Sequence, residues 1–302
     1  MAYVTKKFFQ KELKKTFKVL MDELGISIHE AQKTVDRKRV FVDGVLLEEK
    51  SGEIQGEIEV VVFQPNPLGL KPVFETEDFA VFEKPSGVLI HPRKREEIQT
   101  LNDDIKYLFG KDANAVHRID KGTSGLVLIS KNKQNEADLK QLFEDKKVYK
   151  EYVALVDGKL DDTLEIDEKL LVDLPSSKIR IKVHVNEKGK KAFTKIEPIK
   201  YDANNNVTLV KAIPLTGRQH QIRAHLFHVK HSILGDTLYG LSEDLAEKYL
   251  DGEMSLEESY ELTRSRRLLL HASRICFEYK KTKYDIVSNI DIKKEFYENC
   301  KF

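Results

Sequence analysis

The chain has 302 residues, 40% hydrophobic and 33% charged, which allows a sizeable core and a large domain with a smaller one beside it. With 51 Lys/Arg against 50 Asp/Glu the formal net charge is +1, which excludes a uniformly basic surface as the basis of any nucleic-acid binding. Cys276 and Cys300 form neither a CxxC pair nor a disulfide framework, no apolar run reaches the ~20 residues that span a bilayer, and no signal-peptide core is present, so a cytoplasmic protein without membrane attachment is expected.

Residues 11–24 place Leu13, Phe17, Leu20, Met21 and Leu24 at helical spacing, and Gly25 is expected to end that helix. Ser27 predicts the cap of a second helix, with Glu30 as capping-box partner, running to about Arg39. Two short strands, Val40–Val42 and Val45–Leu47, flank an Asp43-Gly44 turn, and the alternating run Ile58–Phe63 closes a small unit. Charge is unevenly spread within it. Residues 1–40 carry ten bases and five acids, whereas 41–63 carry six acids and only Lys50 as a base. The basic half can face phosphates or simply solvate a helix.

The segment 64–72 holds three prolines and a glycine and reads as a linker, which divides the chain into domains at 1–63 and 73–302. The larger part predicts strands at 79–84, 125–130, 150–156, 179–185, 192–199, 206–212 and 268–277, and helices at 101–109, 134–144, 220–228 and 243–263. Consecutive strands without intervening helices argue for an α+β fold with a mainly antiparallel mixed sheet. The charged stretch 243–267 reads as a peripheral helical insertion.

Chemistry-bearing residues gather in two segments. In 115–130, His117, Arg118 and Asp120 stand in a polar stretch just before an apolar strand, with Gly122, Thr123, Ser124 and Gly125 supplying a turn. An Asp there can equally cap its own backbone. In 215–226, Thr216 and Gly217 lead into Arg218, His220, Gln221 and Arg223, a set expensive to bury without partners. The spacing of His220, His225, His228 and His231 matches no metal motif, so no metal is expected. Tyr149 and Tyr152 lie in a strand, and Pro85 and Gly87 in 83–92 specify a rigid turn. Phosphate-loop, GxGxxG and GxSxG patterns are absent, which argues against ATP, NAD or serine chemistry and for no cofactor. An Asp near Arg suits attack on a glycosidic bond, and the residues by themselves lead no further.

HRIDKGTSG (117–125) resembles the signature of the RluA-type family of pseudouridine synthases, with Ile119 for the usual Leu. EKPSGVLIHP (83–92), YKEYVALVDG (149–158), LTGRQHQIRAHL (215–226), GDTLYG (235–240) and RLLLHASRICF (267–277) follow in the family's order and cover nearly all of 73–302. Residues 24–44 resemble an S4-like RNA-binding unit, with Ile28 where Arg is usual and Asp43 where Asn is usual.

The resemblance implies an isomerase that converts uridine to pseudouridine in RNA. Asp120 would be the nucleophile, Tyr152 would pack on the uracil, and Arg223 would pair with Asp120. Arg118 would help extrude the base, and Leu270, with Leu268 as a competitor, would form the apolar wall beneath it. His117, Thr123, Arg218, His220 and Gln221 are expected to contact the RNA, and Lys84 and Pro85 to be scaffold. The S4-like unit points to large-subunit ribosomal RNA, bound by a monomer. The alternatives are a transfer-RNA synthase, a non-catalytic RNA-binding or ribosome-assembly protein on the same fold, and a small-molecule glycosidase. The last needs a second acid, and none stands out beside Asp120.

Overall fold

A computed structural model describes residues 2–49, 51–92, 99–172, 174 and 177–302, so Lys50 lies outside the described residues. The chain forms two compact units, one of residues 1–66 with 92–99, the other of 67–91 with 100–302. No helix among the described residues is long and apolar enough to cross a membrane.

The first unit is a four-stranded antiparallel sheet in the order Ala2–Lys15, Glu53–Gln64, Val40–Val42, Val45–Leu46. Helices Thr16–Leu24 and Ile28–Asp36 pack Val19, Leu20, Ala31 and Val35 against Ile54, Ile58 and Val60 of the sheet. Gly25 is left-handed at the first C-cap, and the Ser27–Glu30 capping box is closed in both directions. The helix expected from residue 11 begins at Thr16. Residues 11–15 belong to the opening strand, where Lys14 and Lys15 pair with Ile54 and Glu53 beyond a bulge. Leu13, counted toward a helical stripe, is 62% exposed. Cross-strand pairing has overridden a local helical pattern. The second helix stops at Asp36, since Lys38 has a positive φ of 56°.

The second unit is built on a ten-stranded sheet. Its path runs Leu164–Asp167, Phe193–Asp202, Val207–Pro214, Tyr149–Asp157, Leu270–Tyr279, Ser124–Ser130, Phe79–Lys84, Pro72–Glu75. Thr282–Val287 also pairs with Leu270–Tyr279, and Asn114–Ala115 with Ser124–Ser130. The sheet is buried on both sides at this end. Phe79, Val81, Leu126 and Leu128 enter one cluster, and Ala80, Phe82, Val127 and Ile129 alternate into another.

Among the described residues this sheet has one parallel pairing, His271 with Ser124 and Ala272 with Gly125. A Cβ on Gly125 (φ 109°) would stand 2.3 Å from the Ala272 carbonyl oxygen, so glycine is what lets these strands meet.

Several boundaries differ from expectation. Of 179–185 only Val183–Val185 is strand, paired with Leu170–Val172. The helix expected over 243–263 is two, Glu243–Leu250 and Leu256–Thr263, each capped by a serine (Ser242, Ser255), with left-handed Gly252 between them. They are not merely peripheral. Leu245, Ala246 and Tyr249 pack with Leu238 and Tyr239, and Thr263 accepts a hydrogen bond from the Gly235 N–H. Helix Ile292–Asn299 was not anticipated.

Candidate active site

A cleft of about 490 Å³ opens in the second unit. All ten residues expected at a site line it: His117, Arg118, Asp120, Thr123, Tyr152, Arg218, His220, Gln221, Arg223 and Leu270. They come from the loop before strand Ser124–Ser130, from strand Tyr149–Asp157, from helix Gln221–His228 and the segment leading into it, and from the start of strand Leu270–Tyr279.

The Asp120 loop is held from below by the turn after strand Phe79–Lys84. The Lys84 ammonium, fully buried, donates to the carbonyls of Pro85 (2.9 Å), Val88 (2.8 Å) and Lys121 (3.2 Å). Burial pushes its pKa down to about 7, against the attraction of Asp120. Ser86 Oγ donates to the Gly122 carbonyl at 2.6 Å, and the Gly87 N–H donates to the Lys121 carbonyl. A Cβ on Gly122 would lie 3.2 Å from Leu268 Cβ. Leu268 therefore packs under the loop, while Leu270 lines the cleft.

Within the loop, the Asp120 carbonyl accepts from the Thr123 N–H, so the turn closes through backbone. The Asp120 carboxylate points elsewhere. Its Oδ2 accepts a hydrogen bond from Arg223 NH1 at 3.3 Å and lies 3.9 Å from His220 Nε2. Arg223, 7% exposed, is locked by Asp236: Nε donates to Oδ2 at 2.7 Å and NH2 to Oδ1 at 2.8 Å. Asp236 Oδ1 also accepts from the backbone N–H groups of Leu238 and Tyr239. Burial opposes both charges, yet their mutual attraction prevails: the Arg223 pKa is raised and the Asp236 pKa lowered. Both ions are thus fixed, and one guanidinium nitrogen is left to face Asp120. Asp236 was missed as a site residue, although GDTLYG had been noted.

Tyr152 is pushed to a high pKa, first by burial and then by the charge of Asp120, so its phenol stays protonated. His220 caps its helix in a left-handed conformation (φ 51°), with Nδ1 3.2 Å from the Tyr239 hydroxyl. His117 is taken up internally: Nε2 accepts from the Leu128 N–H at 2.9 Å, the ring stacks on Phe143, and burial drives its pKa down to about 3. Gln221, 4% exposed, is likewise committed. Its Oε1 accepts from Thr216 Oγ1 and the Arg218 N–H, and its Nε2 donates to the Phe193 carbonyl and Thr194 Oγ1. Gln221 thus shapes the cleft with these bonds turned inward, and His117 commits Nε2 to the strand behind it. Thr123 is buried, whereas Arg118 and Arg218 are exposed. Arg218 Nε donates to the Lys191 carbonyl.

His225 and His231 have separate protein partners, Thr194 with the Glu168 carbonyl and the Asp157 carbonyl respectively. Among the described residues no group of three or more His, Cys, Asp or Glu is arranged to hold a metal. Beneath the loop, buried His271 joins Ser124 Oγ (2.9 Å from Nδ1) and Ser288 Oγ (3.0 Å from Nε2), with Glu83 3.5 Å from Nε2. Burial raises the Glu83 pKa to about 7 and lowers that of His271 to about 3, so both are held neutral near pH 6.

Residues 78–228 match the family model for RNA pseudouridylate synthase. An uncharacterised RNA pseudouridine synthase of Helicobacter pylori is 38% identical over 289 residues, covering 95% of this chain and 96% of that protein. The ribosomal large subunit pseudouridine synthase C of Buchnera aphidicola is 32% identical over 71% of this chain and 64% of its own length. The dual-specificity RNA pseudouridine synthase RluA of Haemophilus ducreyi is 38% identical over 60% of this chain and 82% of its own. The structure of human RNA pseudouridylate synthase domain containing 1 shares the fold, with a TM-score of 0.58 and 22% identity over 76% of this chain and 86% of that one.

Proposed function

The chain belongs to the RNA pseudouridylate synthase family, isomerases that act on RNA, and from that premise we propose that Asp120 is the nucleophile and large-subunit ribosomal RNA the substrate. The observation that carries the first part is the Arg223–Asp120 contact of 3.3 Å, made by a guanidinium that Asp236 already holds in place. A carboxylate facing a fixed cation keeps its negative charge in a cleft that would otherwise favour the neutral acid.

In the mechanism, Arg118 at the exposed rim helps extrude the target uridine, and the base enters between Tyr152 and Leu270. Asp120 attacks and forms a covalent bond as the glycosidic C–N bond breaks. The uracil turns, C5 bonds to C1′ as the bond to Asp120 is released, the C5 proton is lost and N1, freed from the ribose, takes up a proton. The product is an isomer, so the atom balance calls for no redox partner or nucleotide. A protonated Tyr152 serves as a stacking surface and hydrogen-bond donor, because forming its phenolate beside Asp120 is costly. Asp236 is not available as the second acid of a glycosidase, since it is consumed by Arg223 and two backbone N–H groups.

Two further points support the ribosomal substrate. The Buchnera relative is by name a large-subunit ribosomal enzyme, and the N-terminal unit offers an exposed basic helix surface (Lys33, Arg37) of the kind that follows a phosphate backbone. We read that unit as S4-like, and as the part that docks the chain on structured RNA.

The test is tritium release from RNA carrying [5-³H]uridine. Wild-type protein should release tritium from large-subunit ribosomal RNA in preference to transfer RNA. Asp120→Asn should bind the same RNA while losing on the order of 10⁴-fold or more in turnover. Release by Asp120→Asn at a wild-type rate would eliminate Asp120 as nucleophile, and preferential release from transfer RNA would overturn the substrate assignment.

A further inference from the structure

Lys150 has no role in the chemistry described above, yet it stands inside the same cleft. It lies two residues before Tyr152 on strand Tyr149–Asp157, so the two side chains leave the same face of the strand, ~6.6 Å apart along it. Its surroundings differ from those of the buried cations Arg223 and Lys84. Arg223 has two carboxylates, and Lys84 has three carbonyls at 2.8–3.2 Å. Lys150 Nζ has the Thr216 carbonyl at 3.3 Å, and among the described residues no carboxylate within ion-pair distance. Gly217 adjoins it, with a Cβ there falling 3.9 Å from Nζ, in ordinary contact.

A half-buried ammonium without a counter-ion is expensive. Desolvation depresses the Lys150 pKa with no acid to offset it, and its charge in turn disfavours a protonated His117. Proteins keep such a cation where a ligand supplies the missing anion. The remaining walls point the same way, since Arg118, Lys146 and Arg218 line this cleft against the single carboxylates of Asp120 and Glu144.

We infer that Lys150 binds an RNA phosphodiester, the one adjoining the uridine that lies between Tyr152 and Asp120. The inference rests on the uridine-isomerising reading for the identity of that nucleotide. Lys150 then acts by registering the substrate: the phosphate seats on the ammonium and the backbone between them fixes how far the base reaches along the strand toward Tyr152.

The experiment compares Lys150→Met and Lys150→Arg with wild-type full-length protein. It uses a large-subunit ribosomal RNA transcript, with binding measured across a salt series, turnover by tritium release, and thermal unfolding of the free protein. Loss of one phosphate contact should make the slope of log affinity against log salt shallower by about 0.7–0.9 in Lys150→Met, and Lys150→Arg should keep the wild-type slope. The loss in Lys150→Met should fall on KM, about tenfold, rather than on kcat. The melting temperature of the free Lys150→Met protein should equal or exceed the wild type, because an unpaired buried charge has been removed. A wild-type salt slope in Lys150→Met, or a lowered melting temperature with turnover lost even at saturating RNA, would overturn the inference in favour of a structural role. The salt slope is read on binding alone. An absence of tritium release by the wild type would therefore sink the uridine reading while leaving the phosphate contact to be judged on that slope.

Discussion

The two units handle charge in opposite ways. In the first, Lys33 and Arg37 stand in solvent on helix Ile28–Asp36 and its C-cap, without an ion pair among the described residues. In the second, Arg223, Asp236 and Lys84 are buried, and each is met by several fixed partners. Solvated charges act at a distance, are screened by salt, and hold no geometry. Buried, paired charges give up that reach and gain position. On the proposed reading the contrast divides labour, the first unit holding a polyanion and the second aligning one carboxylate with one base.

The contrast can be broken most forcefully at Asp236. Asp236→Ala leaves Arg223 buried without its bidentate partner and should cost about 3–5 kcal/mol in stability, read by denaturant unfolding, along with most of the turnover. A loss below 1 kcal/mol would mean that the Arg223 charge is solvated after all. Smaller, and of a different kind, is the expected effect of reversing Lys33 and Arg37 together to Glu. RNA affinity should fall roughly tenfold at low salt, the defect should shrink as salt rises, and kcat should hold. A defect in kcat with affinity intact would undo the division of labour.

The narrowest effect, seen only as pH changes, belongs to Glu83. Its folded pKa of about 7 lies above the ordinary 4.5. Between those values the folded protein keeps a proton that the unfolded chain releases, so this group's stabilisation is complete below pH 4.5 and is lost as pH rises through 7. Glu83→Gln should abolish that dependence and be on the order of 3 kcal/mol more stable than wild type at pH 8, relative to pH 4.5. Parallel stability–pH curves for the two proteins would show that Glu83 is ionised in the fold.

Legibility from sequence follows the same divide. Residues that act through local spacing were readable: the Ser27–Glu30 capping box, the Asp43-Gly44 turn with both φ values positive, and helix Leu101–Phe109 to the residue. The cleft residues were readable because the ordered motifs carried them, not because any one segment required them. Partnerships were not. Asp236 meets Arg223 across thirteen positions, and Lys84 meets the Lys121 carbonyl across thirty-seven, with no periodicity to announce either. The internal partners of two cleft residues were equally illegible. His117 Nε2 accepts from the Leu128 N–H and Gln221 Nε2 donates to Phe193 and Thr194, contacts that no local pattern announces. The opening strand, mistaken for helix at residues 11–15, owes its conformation to a partner about forty residues further on.

The parallel junction at Gly125 and Ala272 also sets a timetable. Strand Leu270–Tyr279 lies between Tyr149–Asp157 and Ser124–Ser130, so the Asp120 and Tyr152 sides of the cleft share no ladder until that strand arrives. A chain growing on the ribosome therefore carries Asp120 and Tyr152 for more than a hundred residues before they can be set in register. The cleft walls that carry Asp120 and Tyr152 are joined in one sheet only once strand Leu270–Tyr279 has been made.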